Sequence, residues 1–147
     1  MTPYELLRQT TPVQDETKAE LLRLTRRLEH AALLTRPPAV AATLQDQRYL
    51  TDRTRAVYTA LAAAGASARL HARGLQAWLA PGVVGVSLDD DDPLVDEWIV
   101  VVPGDDPVVF AATDLRFEGC ADEDRCFSYG VSRDRELVEA CGRLLGI

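Results

Sequence analysis

The run Trp98-Ile99-Val100-Val101-Val102 constrains the fold of this chain more than any other feature. Five consecutive apolar residues leave no polar side to face water. The segment therefore predicts a central strand buried on both faces. Pro103-Gly104-Asp105-Asp106-Pro107 follows it, dense in turn chemistry, and then comes the apolar stretch Val108 to Thr113. The two stretches predict a hairpin. On the other side, Asp89-Asp90-Asp91-Asp92-Pro93 is a solvated connection leading through Leu94–Glu97 into the run.

The remaining segments can be arranged around this hairpin. Residues 1–14 contain Thr10-Thr11-Pro12 and little periodicity, which predicts a flexible tail with at most one helical turn at Tyr4–Arg8. Leu21, Leu24, Leu28 and Ala32 recur at helical spacing, which predicts a helix from about Asp15 to Leu34. Arg36-Pro37-Pro38 ends it, because proline cannot continue a helix and restricts the residue before it. Val40 to Leu44 predicts a short buried strand, and Tyr49 to Ala64 a second helix closed by Gly65. From Ala68 to Arg73 apolar and polar residues alternate strictly, which predicts a half-buried strand with Arg69, His71 and Arg73 on its wet face. Gly74 to Gly82, with Trp78, reads as a loop, and Val83 to Leu88 as a strand. Leu115 to Arg125 reads as a charged loop, Cys126 to Val131 as the last strand, and Asp134 to Leu145 as a final helix with Leu137, Cys141, Leu144 and Leu145 inward. The fold class is thus α/β of the α+β kind. A mostly antiparallel sheet of five to six strands is flanked by N-terminal, middle and C-terminal helices in a single domain over 15–147.

Composition excludes several classes of function. A net charge of −7 opposes general binding to nucleic acid or anionic lipid, since both rest on Lys and Arg. Direct nucleic-acid contact and membrane association are therefore not expected. No stretch approaches the about 18 apolar residues of a membrane span. The first ten residues carry no secretory pattern. Three cysteines, Cys120, Cys126 and Cys141, form no disulfide framework, so a reducing, cytoplasmic setting is expected.

Three stretches carry a resemblance to a known family. They are Leu21-Leu22-Arg23-Leu24-Thr25-Arg26-Arg27-Leu28-Glu29, the Arg- and Ala-rich segment Tyr49 to Gly65, and Pro93-Leu94-Val95-Asp96-Glu97-Trp98-Ile99-Val100-Val101-Val102. With Val108 to Thr113, Phe127-Ser128-Tyr129 and the terminal helix in the same order, they resemble the DICT domain. This is a sensory module of bacteria and archaea that occurs with diguanylate cyclases and two-component systems. The resemblance extends over about residues 17–145 and implies a sensory role without assigning catalytic residues. The family is usually fused to an output domain, and no such domain is recognisable in the 147 residues. Either partners supply the output or the chain is an excised module.

The candidate sites are few. The only histidines are His30 and His71. No nucleophile elbow, phosphate-cradling glycine loop or H-E-x-x-H motif is present, so no catalytic residue, metal or cofactor is expected. Cys120 and Cys126 lack the tight spacing of a structural zinc site, Cys141 reads as core, and Asp89–Asp92 as a solvated loop. Arg69, His71 and Arg73 share one strand face, where arginine forks suit an anionic ligand, with Tyr58 and Trp78 as an aromatic wall. Trp98 is either core or the floor of a ligand pocket. Arg23, Arg26, Arg27 and His30 cluster on one side of the first helix, which suits an acidic partner. Leu21, Leu24, Leu28 and Ala31 approximate a short a/d seam, so a homodimer is a further expectation. The leading expectation is a non-catalytic sensory or regulatory domain that binds a small ligand or a signalling partner. The alternatives are an accessory subunit of a transcriptional regulator, and a small enzyme or carrier for an anionic metabolite at Arg69, His71 and Arg73.

Overall fold

A computed structural model describes residues 1–147. Helix α1 (Pro3–Arg8) and strand β1 (Gln14–Thr17) precede the long helix α2 (Lys18–Thr35). Strand β2 (Ala39–Asp46), helix α3 (Asp52–Ala63) and strand β3 (Ser67–Arg73) follow. Next come β4 (Trp78–Ala80), β5 (Val83–Ser87), β6 (Glu97–Val102), β7 (Val108–Asp114) and β8 (Cys126–Ser132), with α4 (Arg135–Leu144) last. The strands form one sheet in the order β1-β8-β7-β6-β2-β3-β5-β4.

The α+β class and the dominance of antiparallel pairing hold, while the strand count and part of the topology differ from expectation. The sheet has eight strands and is mixed, because β3 pairs parallel with both β2 and β5. For β2 and β3 the reason lies in the connection. A strand followed by a helix and another strand returns parallel to the first, and β2-α3-β3 is such a unit, while β5 comes back beside β3 after the short strand β4. The two strands missed from the sequence are the sheet's edges. β1 reads Gln-Asp-Glu-Thr, with no apolar side to signal it, and β4 is only three residues long.

The hairpin prediction holds in register: Trp98 to Val102 pair antiparallel with Val108 to Ala112. β6 is covered on both sides, as its apolar run requires. Val100 and Val102 face the larger core under α2 and α3. Ile99 and Val101 face a second core under α1 and α4. In α4 the inward residues are Val138 and Cys141, joined by Leu145 at its C-cap, whereas Leu144 points to solvent.

The helical turn expected at Tyr4–Arg8 is present as α1, and the loose tail expected around it is corrected. Thr2-Pro3-Tyr4-Glu5 is a capping box. The Glu5 N–H donates to Thr2 Oγ1 at 3.2 Å, the Thr2 N–H donates to Glu5 Oε2 at 3.1 Å, and proline occupies the first turn. The short helix so formed buries Tyr4 and Leu7, and Leu7 is 0% exposed. The start of α2 shifts from about Asp15 to Lys18 because Gln14–Thr17 pairs with Tyr129–Cys126 as the sheet's edge. Thr17 then caps the helix by accepting from the Glu20 N–H at 3.3 Å.

Candidate functional site

α2 lays one stripe on the sheet, and that stripe is not wholly apolar. Lys18, Thr25 and Glu29 lie seven and four residues apart, so they project from one side of the helix. Thr25 and Glu29 are buried there together with Leu21 and Leu28. Beneath them the sheet contributes Ala42 and Leu44 from β2, Trp98 and Val100 from β6, and Phe127 from β8. A pocket of about 80 Å³ remains between helix and sheet. A single water needs about 10–15 Å³ on this scale, so the space suits several waters or one small organic group.

A local irregularity of β2 shapes one wall. Gln45 has φ +70°, and the register against β3 shifts between Thr43 and Gln45. A bulge of this kind re-aims a side chain next to a site. Thr43 turns away from the pocket, donating to the Glu97 carbonyl at 2.7 Å and accepting from the Ile99 N–H at 3.0 Å. Leu44 and Gln45, although consecutive, both line the pocket. A left-handed conformation at a non-glycine residue costs about 1–3 kcal/mol, and here it delivers the Gln45 amide to the pocket mouth.

The mouth is lined by an interlocked polar group. Arg125 uses all five of its N–H donors. Nε and Nη2 reach Asp114 Oδ2 at 3.1 and 2.5 Å, and Nη2 also reaches Gln45 Oε1 at 2.7 Å. Nη1 donates to the Tyr49 hydroxyl at 2.7 Å and to Asp122 Oδ1 at 3.2 Å. The Tyr49 hydroxyl donates to Asp122, and Lys18 pairs with the same carboxylate while lying 4.7 Å from the Tyr49 ring centroid. Hydrogen bonds from Lys18 and Tyr49 hold the Asp122 carboxyl well below the usual carboxylate range. Burial, and the bond to Asp122, raise the Tyr49 phenol. Three distant segments are thus tied across one opening: the start of α2, the 3-10 turn Gln47–Tyr49, and the 3-10 turn Asp122–Asp124 with Arg125.

At the inner end, Glu29 is 7% exposed and accepts from Arg53 Nη1 of α3 at 3.0 Å on Oε1. Tyr58, wholly buried on α3, lies beside it, and its hydroxyl has no hydrogen-bond partner. Burial, and then the Glu29 charge, push the Tyr58 phenol well above its ordinary value, so it remains a neutral hydroxyl. Trp98 packs edge-on against Phe110 and Phe127, with centroids 5.6 and 5.4 Å away.

Of the residues singled out from the sequence, only Trp98 lines this pocket. Tyr58 lies behind it. Trp78 is 69% exposed on the edge strand β4, opposite Val84, and cannot join Tyr58 in an aromatic wall. The alternation of β3 is as predicted, but its polar face is not wet. His71 is buried under the end of α4, with Nε2 3.1 Å from the Leu145 carbonyl oxygen. Burial lowers its pKa. Arg73 pairs with Asp46 at 3.5 Å, and Arg69 lies against Gly146. The expected open anion site is therefore broken up: the C-terminal residues Leu145 and Gly146 cover His71 and Arg69, and Asp46 holds Arg73. Arg23, Arg26, Arg27 and His30 do lie on the exposed side of α2. The expected dimer seam is occupied within the chain, since Leu21 and Leu28 belong to its own core.

Sequence reasoning missed Lys18, Thr25, Glu29, Gln45, Tyr49 and Arg125. One signal was available: Glu29 follows Leu21 by eight residues and Thr25 by four, so a carboxylate sits on the inward stripe. No three His, Cys, Asp or Glu side chains converge as a metal site requires. No helix is long and apolar enough to cross a membrane. Comparison of the chain with protein-family models, with curated proteins and with solved structures finds no match.

Proposed function

We propose that the chain is a sensory or regulatory domain of the DICT type. It binds a small ligand between α2 and the sheet and passes the event to a separate signalling or transcription-regulatory protein in the cytoplasm. The observation that carries this reading is the linked polar group on the pocket wall. A ligand that displaces Tyr49 or Arg125 as it binds pulls on Asp122, to which both are bonded together with Lys18. Occupancy of the pocket is thereby coupled to the position of the segment 115–125 and of the α2 start. A ligand shifts such an equilibrium by its differential affinity for the two arrangements.

The same helix supplies an output surface. Its inner side holds Thr25 and Glu29, and its outer side presents Arg23, Arg26, Arg27 and His30 to solvent. An acidic surface on a partner would meet this face, consistent with the accessory role for a regulator read from the sequence.

The test is native mass spectrometry on protein purified from its own host, compared with Thr54→Phe, which fills the half-buried mouth from α3. Wild type is expected to carry a small molecule that leaves on denaturation, and the variant to arrive bare with an unchanged circular dichroism spectrum. A wild-type chain that is bare in every preparation rejects the reading.

A further inference from the structure

We propose that the pocket recognises a small organic cation, an ammonium or amidinium group carried on a flat apolar body, with Glu29 as the recognising carboxylate. The inference rests on the reading of the pocket as a ligand site and names the ligand's chemistry.

The two ends of the pocket differ in how far their hydrogen bonds are spent. At the mouth, Arg125 has no donor left, and Lys18 already holds Asp122. An anionic ligand would have to displace Asp114 or Asp122 to gain either cation. At the inner end the balance is the opposite. An ionised carboxylate offers about four acceptor sites over its two oxygens. Glu29 uses one, on Oε1, for Arg53, and Oε2 has no bond. A buried carboxylate with unmet acceptors is costly, and the neutral Tyr58 hydroxyl leans toward the same carboxylate from beyond full hydrogen-bond distance. Arg53 supplies one donor to a carboxylate that can accept about four, so a donor-rich group is the complement Glu29 lacks.

The walls point to the same class of ligand. Between mouth and carboxylate the lining is Ala42, Leu44, Trp98, Val100 and Phe127, with the Tyr49 ring at the opening. Aromatic faces attract cations, more strongly where water is excluded; Arg125 already lies over Tyr49 and Phe127, so the Trp98 indole is the aromatic surface left for a ligand. Flat apolar atoms fit the rest of the wall. The Arg53–Glu29 contact is a single hydrogen bond, and Arg53 is one-third exposed, so the arginine can yield or share the carboxylate as a ligand enters.

The chain contains two tryptophans, one in the pocket and one on the far sheet edge. The indole N–H resonance of Trp98 therefore reports the site, and that of Trp78 is an internal control. Benzamidine and benzylamine serve as cationic probes, benzamide as the neutral isostere and benzoate as the anion. The cations are expected to move the Trp98 resonance, leave Trp78 in place and bind at least about tenfold more tightly than benzamide, as expected for a desolvated charge pair. Glu29→Gln should remove that preference without changing benzamide binding. Thr54→Phe should abolish all binding at Trp98.

Benzamide binding as tightly as benzamidine, or benzoate moving Trp98, would overturn the cation assignment and leave the pocket as a ligand site for other chemistry. Failure of every probe to move Trp98 would also overturn the assignment. The pocket itself is judged separately, by whether host-purified wild type carries a molecule that Thr54→Phe lacks.

Discussion

Each face of the sheet buries a glutamate, and the two are held in different ways. On the α2–α3 face, Glu29 meets an arginine and borders open space. On the α1–α4 face, Glu97 meets no cation. It accepts from the Tyr4 backbone N–H at 3.1 Å, at the start of α1, among tightly packed neighbours. Burial pushes the Glu97 carboxyl up to about 7, against the opposing bonds from Thr2 and Tyr4 and with the nearby Glu5 and Asp96 adding to the rise. Cys141 on the same face is pushed up to about 11, again chiefly by burial. One face is sealed and suppresses charge, while the other leaves a cavity and keeps a charged pair at its edge. The contrast teaches that the pocket is a local property of the α2–α3 face and not looseness of the whole fold.

The largest effects should come from breaking the seal. Leu7→Ala removes a fully buried side chain of α1 from the well-packed core, and such truncations cost about 2–5 kcal/mol. Leu44→Ala, on the pocket wall, removes the same atoms beside existing free space and should cost only about 1 kcal/mol. Urea unfolding of the two variants measures the difference. Equal losses would mean that the pocket side is packed as tightly as the sealed side, and a negligible loss for Leu7→Ala would restore the N-terminus to the status of a loose tail.

The next effect is in pH. Between about 4.5 and 7, folded Glu97 retains a proton that the unfolded chain has released. Stability therefore falls as pH rises across this window and levels off above it. The loss is at most about 3–4 kcal/mol at about 1.4 kcal/mol per pKa unit. His71 works in the opposite sense. Its lowered pKa means that the folded state binds fewer protons than the unfolded one near pH 6, so its contribution grows with pH. Glu97→Gln isolates the first effect: the stability gap between variant and wild type should widen in the variant's favour from pH 5 to pH 8. A constant gap would show that Glu97 titrates normally, and the distinction between the two buried glutamates would fail.

How much of this was legible in the sequence follows from what each residue's neighbours are. The apolar run Trp98–Val102 announced a doubly covered strand because its own side chains require it, and the hairpin turn followed from Pro103 to Pro107. The alternation of Ala68 to Arg73 gave the correct faces, but it could not say that Leu145, 74 residues later, would cover His71. α1 was carried by a capping box that went unread, and β1 by backbone pairing alone. The pocket was the least legible part. Glu29 could be found by helical spacing, but Gln45 reaches the site through a left-handed residue at a bulge. Tyr49, Asp122 and Arg125 are 73, 76 and 3 residues apart in their pairings. Only the assembled sheet brings them to one opening.

The smallest effect on stability should come from the outer side of α2, where the contrast with its inner side is sharpest. Arg23, Arg26 and Arg27 are exposed, and the one ion pair that Arg23 makes, with Glu20, lies on the surface. Exposed pairs are worth about 0–1 kcal/mol, so reversing all three to glutamate should leave the helical circular dichroism intact and change the unfolding free energy by no more than about 1 kcal/mol. Ligand binding at Trp98 should also survive, because the pocket residues Thr25 and Glu29 project from the opposite side of the helix. If the proposed output surface is right, what disappears is capture of an acidic partner protein in pull-downs from the host. If the triple reversal instead weakens the pocket, the two sides of α2 are not independent and the relay runs through the helix itself. If partner capture persists, the output leaves the domain elsewhere, and the segment 115–125 tied to Tyr49 through Asp122 and Arg125 becomes the surface to reverse next.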